Sequence, residues 1–146
     1  MSAVAGQTAD SVVKDPLAFP KAVDLDKAVG SCPEIDVCIE GFPCNCLVDT
    51  GSQISTVTES FFRKLNDRDL ADTGNYIRVV AANNLDVPYL GYTEVQMTIG
   101  GASLPAIGVF VVKDPVDSVG RQRKARVPGL LGSNVFAQLK SLARAR

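Results

Sequence analysis

From Glu34 onward, apolar and polar residues alternate with a period of two, and no other feature of the chain constrains its fold as much. Ile35, Val37 and Ile39 alternate with Asp36, Cys38 and Glu40, as a strand with one buried face requires. Gly41 supplies a turn. Phe42, Cys44, Cys46 and Val48 then resume the pattern, which predicts a hairpin ending at Asp49. Ile77 to Ala82 reads as a further strand, with Asn83-Asn84 as its turn signal. Thr93, Val95, Met97 and Ile99 alternate with Glu94, Gln96 and Thr98, and Gly100-Gly101 is a tight turn of the hairpin type. Ile107 to Val112 is apolar on both faces, which predicts a central, fully covered strand. Val127 to Leu131 is a last apolar run. No internal repeat and no regular strand-helix alternation occurs, so the reading is a mainly β domain and not a parallel α/β sheet.

Helices have a small share. Thr56 with Glu59 fits a capping box, and Thr58 is a competing cap, for a short helix through Phe61, Phe62 and Leu65. Ser133 is placed to cap a second helix, with Val135, Phe136, Leu139 and Leu142 on one face. Lys113 to Arg126 reads as a polar loop. Its Arg121, Arg123, Lys124 and Arg126 read as solvated charge, so no nucleic-acid partner is expected. Residues 1–25, broken by Pro16 and Pro20, read as a flexible N-terminal arm or a short strand around Val12 and Val13; residues 26–146 read as the domain.

Composition removes whole classes of chemistry. The 146 residues include no histidine, so Ser-His-Asp, Cys-His and H-E-x-x-H zinc mechanisms are excluded. Cys32, Cys38, Cys44 and Cys46 lack zinc-ligand spacing and read as reduced, partly buried thiols. No apolar run approaches the roughly 20 residues that span a bilayer, and residues 1–15 lack a signal-peptide core, so a cytoplasmic protein without a membrane partner is the expectation. A net charge of -1 sets up no overall basic field. Catalysis must then run on carboxylates, lysine, tyrosine or thiols.

One carboxylate stands out. In Cys46-Leu47-Val48-Asp49-Thr50-Gly51-Ser52, an aspartate follows directly on an apolar strand, within a turn of small residues. Gly51 permits unusual backbone angles and close approach, and Thr50 and Ser52 offer hydroxyls that orient a carboxylate. A bare Asp-Thr-Gly-Ser is also an ordinary Asx turn. Here it follows a predicted hairpin, precedes a capped helix, and is answered downstream by Pro128-Gly129-Leu130-Leu131-Gly132.

These two elements resemble the retropepsins, the proteases of retroviruses and LTR retrotransposons. The wording over Leu47 to Phe61, Val87 to Tyr92 and Val127 to Val135 is most similar to the gypsy-type retrotransposon enzymes. The resemblance covers roughly residues 34 to 140. It implies a retropepsin-like closed β-barrel, half of an acid protease, that functions as a symmetric homodimer. Asp49 would be catalytic, Thr50 would tie the two active-site loops together, Gly51 would keep the loop flat, and Ser52 would hydrogen-bond the aspartate. Leu130, Leu131 and Gly132 would pack beneath the loop. The hairpin between about Ile77 and Ile99 would be the flap, its tip formed by Asn83, Asn84, Leu85, Asp86, Val87 and Pro88.

The resemblance also implies the chemistry. Two aspartates a few Å apart share a proton, and together they activate water against a peptide carbonyl with no metal and no cofactor. With one triplet per chain, the second aspartate must come from another copy. The implied substrate is a polypeptide, the element's own polyprotein, in the cytoplasm or within virus-like particles. Two departures bear on this. Retroviral members carry an arginine after the downstream glycine, where this chain has Ser133, and the chain ends in a basic helix. A phosphoaspartyl enzyme would need a second acid at Gly51 and a parallel α/β sheet. The competing reading is a non-catalytic retropepsin-like module kept for dimerisation or binding.

Overall fold

The turn at Glu40 and Gly41 is as short as a hairpin allows. Both residues have positive φ, 52° and 83°, the conformation whose twist matches the strands it joins. Ile39 therefore faces Phe42, and strands β2 (Glu34–Ile39) and β3 (Phe42–Val48) pair antiparallel down to Glu34 and Leu47. Glu40 tolerates its φ because its N–H donates to the Gln96 carbonyl at 2.9 Å while its carboxylate accepts the Gln96 N–H at 2.8 Å. The computed structural model describes residues 2–5, 24–28, 30, 32–65, 69–71, 77–81 and 83–145.

Strands β4 (Thr56–Thr58), β6 (Gly91–Ile99), β7 (Ala102–Val112) and β8 (Gly129–Leu131) complete a closed barrel in the order β2-β3-β8-β4-β7-β6. Closure is made by β2 and β6, which pair at Cys38 with Thr98 and Ile39 with Met97, so neither end of the barrel's strand order is left as a free edge strand. Thr93, Val95, Met97 and Ile99 are buried on β6, as their alternation predicts. β7 lies between β4 and β6, and its Ile107, Val109, Phe110 and Val111 are all buried, as expected of a central strand. The β6–β7 register slips between Val95 and Met97, opposite the segment that holds Pro105. A proline without an N–H belongs at such an irregularity. Burying Ile39, Met97, Leu104 and Ile107, among the largest fully buried side chains, contributes about 1.5–3 kcal/mol each.

Four helical segments are present among the described residues: α1 (Leu25–Ala28), α2 (Glu59–Phe62), α3 (Ser118–Arg126) and α4 (Ser133–Arg144). Thr58 is the cap of α2, its hydroxyl accepting the Phe61 N–H at 3.3 Å, while Thr56 is consumed by β4. The predicted polar loop 113–126 is corrected: from Ser118 it is helix α3, capped by the Asp117 carboxylate on the Gly120 N–H at 2.8 Å. No residue of α3 is buried, so it carries no apolar stripe for periodicity to detect. Its basic residues in the last turn suit the negative end of the helix dipole. The cap of α4 is Gly132 and not Ser133, which is the first helical residue. Val135 is fully buried, Phe136 and Leu139 pack on the barrel core, and Leu142 is exposed.

The stretch Ile77–Ile99 is two structures, where the sequence suggested one long hairpin. β5 (Arg78–Ala81) turns at Asn83-Asn84 and returns through 85–87, with Ala81 N–H on the Leu85 carbonyl and Val87 N–H on the Val79 carbonyl, both at 2.8 Å. Asn84 takes φ 68°, and Asn83 Oδ1 accepts the Leu85 N–H. Pro88 offers no N–H to extend this ladder, and from Gly91 the chain is barrel strand β6. The other edge of β5 is occupied by β1 (Ser2–Ala5), running parallel. That strand lies inside the segment read as an arm; Val12 and Val13 lie outside the described residues.

Candidate active site

Strand β3 ends at Val48 because β8 does: Val48 faces Leu131 in a parallel pair, and the Asp49 N–H donates to the Leu131 carbonyl at 2.9 Å. Beyond that bond the chain turns. The Ser52 N–H reaches back to the Asp49 carbonyl at 3.1 Å, and the Gly51 N–H donates to Asp49 Oδ1 at 3.1 Å. The half-buried carboxylate is thus oriented by the backbone of its own loop. Thr50 and Gly51 are exposed at the turn's crest. Gly51 does not use its freedom of φ. Its need is space, since a Cβ there would stand 3.3 Å from Asp49 Oδ1.

Ser52 is fully buried, and its hydroxyl donates to the Ile54 carbonyl at 2.8 Å. Leu130 and Leu131 lie in β8 beside the strand that delivers Asp49. Gly132 sits against the far side of the loop, where a Cβ would fall 2.0 Å from the Ile54 carbonyl oxygen and 2.8 Å from that of Ser52. The next N–H, of Ser133, donates to the Ser52 carbonyl at 2.7 Å. Asp49, Thr50, Gly51, Ser52, Leu130, Leu131 and Gly132 are therefore brought together as one unit. Asn83 to Pro88 lie apart from it on the β5 hairpin, whose Val79 packs with Ile54 and Phe110 beside the loop.

Two residues that the sequence pattern did not single out complete the unit. The fully buried Ser55 hydroxyl accepts the Gly132 N–H at 2.9 Å and donates to Asn134 Oδ1 at 2.7 Å; Asn134 Nδ2 then donates to the Gly108 carbonyl at 3.0 Å. This chain of bonds clamps the start of α4 to the Asp49 loop and to β7. Asn134 follows Ser133, where the retroviral arginine is missing, and it holds neighbouring elements together by neutral hydrogen bonds. No periodicity marks either residue: Ser55 stands between Ile54 and Thr56, and Asn134 between Ser133 and Val135. Asn134→Ala removes both an acceptor and a donor, leaving the Ser55 hydroxyl and the Gly108 carbonyl short of partners. It is expected to lower stability by about 1–3 kcal/mol in urea unfolding. An unchanged midpoint would show that the clamp contributes nothing.

Cys44 and Cys46 are buried with their sulfurs 3.7 Å apart, and all four cysteines are free. The Cys44 sulfur to which it donates, together with burial, pushes the Cys46 thiol up from its ordinary range. Among the described residues no three histidine, cysteine, aspartate or glutamate side chains group to hold a metal. A cavity of about 300 Å³ lies elsewhere, lined by Thr58, Ser60, Asp114, Pro115, Arg121, Lys124 and Ala125; Asp49 is not part of it.

Residues 35–138 match the family described as "gag-polyprotein putative aspartyl protease". No curated protein sequence matches the chain. Among solved structures, it is similar to the EIAV protease complexed with the inhibitor HBY-793, at 20% identity over 75% of this chain and 89% of that one, with a TM-score of 0.55. It is also similar to a retropepsin-like aspartic protease from Rickettsia conorii, at 15% identity over 72% and 69%, with a TM-score of 0.47. At such identities the EIAV likeness establishes the fold alone. The family match does more: it runs from the first barrel strand into the last helix, so it covers the whole barrel and not just a tetrapeptide, and the chain belongs to the gag-polyprotein aspartyl protease family, of the retropepsin type.

Proposed function

We propose that the chain is an aspartic endopeptidase that works as a symmetric homodimer, with Asp49 of each copy forming the catalytic pair. The observation that carries this reading is the state of the loop: a single oriented carboxylate, half-buried, beside an exposed Thr50-Gly51 crest. A chain with one such loop supplies half of a two-carboxylate site, and two-fold symmetry supplies the rest. The paired carboxylates share a proton. The ionised member takes a proton from water, the protonated one donates to the scissile carbonyl, and no covalent intermediate forms. Thr50 of each copy ties the two loops together across the axis, a role its exposure at the crest supports. The β5 hairpin is the flap. The substrate class is polypeptide, the polyprotein of a gypsy-type retroelement, processed in the cytoplasm or within virus-like particles.

The test is the dependence of activity on protein concentration, because competence and association are then one equilibrium. Without the arginine after Gly132 the dimer is expected to be weak, in the micromolar range, or about 8 kcal/mol. Specific peptidase activity should rise with enzyme concentration and level off once dimer dominates. Mixing equal amounts of wild-type and Asp49→Asn chains should leave about a quarter of the activity, where dilution alone leaves about half. A monomeric sample that cleaves at full rate would overturn the shared site.

A further inference from the structure

The β5 hairpin is not free-standing. One edge of β5 is taken by 85–87, and the other by β1, with Ser2 to Ala5 in parallel register with Arg78 to Ala81. Among the described residues β1 pairs with β5 and with no barrel strand. Val79 and Val80 point to opposite faces of β5, yet both are buried, at 3% and 8% exposure. A lone two-stranded hairpin is marginal in water, and a third strand is what gives such a unit its own stability. The same hairpin packs through Val79 onto Ile54, whose N–H and carbonyl both bond the Ser52 hydroxyl of the catalytic-type loop.

We infer that Ser2–Ala5 is a strap on the flap, an extended segment of the chain's own N-terminal region that stiffens the β5 hairpin and so governs how often it lifts from the active-site loop. Lifting the hairpin must either carry β1 with it or break a four-residue ladder. The strap therefore stiffens the hairpin against bending and fraying, and by closing off that route to opening it slows substrate entry. Its consequence for catalysis rests on the proteolytic reading; its effect on the hairpin does not.

The test compares the chain with one lacking residues 1–5 and with Ala3→Pro/Val4→Pro, in which one of the two prolines removes the ladder donor facing β5, whichever residue carries it. Hydrogen exchange is read at the Ala81 and Val87 amides, which bond within the hairpin and not to β1. Both variants are expected to exchange about tenfold faster there, with Val95 and Val109 in the barrel unchanged. Unchanged rates at Ala81 and Val87, or equal acceleration in the barrel, overturn the strap. Peptide cleavage by the shortened chain should show kcat/KM raised about threefold or more, as a freer lid admits substrate more often. Faster exchange with unchanged or lower kcat/KM overturns the coupling to the site. Faster exchange with no cleavage by any of the chains leaves the strap standing and removes the proteolytic reading.

Discussion

Asp49→Asn is expected to leave a folded protein whose peptide cleavage falls by about 10⁴-fold or more, the scale on which removal of a central catalytic group acts in other hydrolases. That corresponds to about 5 kcal/mol or more of transition-state stabilisation. The fold should survive because asparagine has the same shape and keeps an oxygen for the Gly51 N–H, now at 3.1 Å from Oδ1. The bond from the Asp49 N–H to Leu131 is backbone and unaffected. What is lost is the proton: an amide neither accepts one from water nor returns it to a leaving amine. The measurement is cleavage of a peptide by matched amounts of wild type and variant, with thermal unfolding of both. A variant with wild-type unfolding and a rate within tenfold of the wild type would remove Asp49 from the mechanism.

Gly132→Ala is the substitution expected to damage the fold most. The added carbon would lie 2.0 Å from the Ile54 carbonyl oxygen, 2.7 Å from the Ile54 carbonyl carbon and 2.8 Å from the Ser52 carbonyl oxygen. All three belong to the backbone, so no rotamer change relieves the overlap. Ordinary overpacking costs about 1–3 kcal/mol because side chains yield. Here β8 or the loop must move, and the move breaks Gly132 N–H to Ser55 and Ser133 N–H to Ser52 as well. A loss of about 4 kcal/mol or more is expected, in the exceptional range for one residue and a large part of the 5–15 kcal/mol that stabilises a typical domain. Gly101→Ala is the control, since nothing lies within 4 Å of a Cβ there. If the two variants unfold within about 1 kcal/mol of each other in urea, the seat beneath the loop is not as tight as its geometry requires.

Local rules reached a good part of this molecule. The hairpin turns at Glu40-Gly41, Asn83-Asn84 and Gly100-Gly101 were readable because they demand particular residues at particular φ. The buried faces of β2 and β6 were readable because a strand has a period of two. The carboxylate was readable because a small-residue turn after an apolar strand is chemically conspicuous. Where local rules failed, the reason is physical in each case. Helix α3 buries nothing, so only its Asp117 cap marked it, and one cap does not make a periodicity. Thr56 and Thr58 both offered a capping hydroxyl, and the pairing of Thr56 with Phe110 and Leu130 decided between them.

The sequence by itself determined the strands β2, β3, β5, β6 and β7, the buried faces of β2 and β6, and that a lone aspartate sits on a tight loop after β3. These follow from each residue and its near neighbours. Only the tertiary structure decided that β3 pairs in parallel with β8 and β4 with β7, because pairing between distant strands is settled by barrel closure and shared burial and not by a local signal. It also decided that Ser55 and Asn134, 79 positions apart, share a hydrogen bond beneath that loop. A single polar residue shows in sequence what it can donate and accept, but its partner is chosen by the packing that removes both from water.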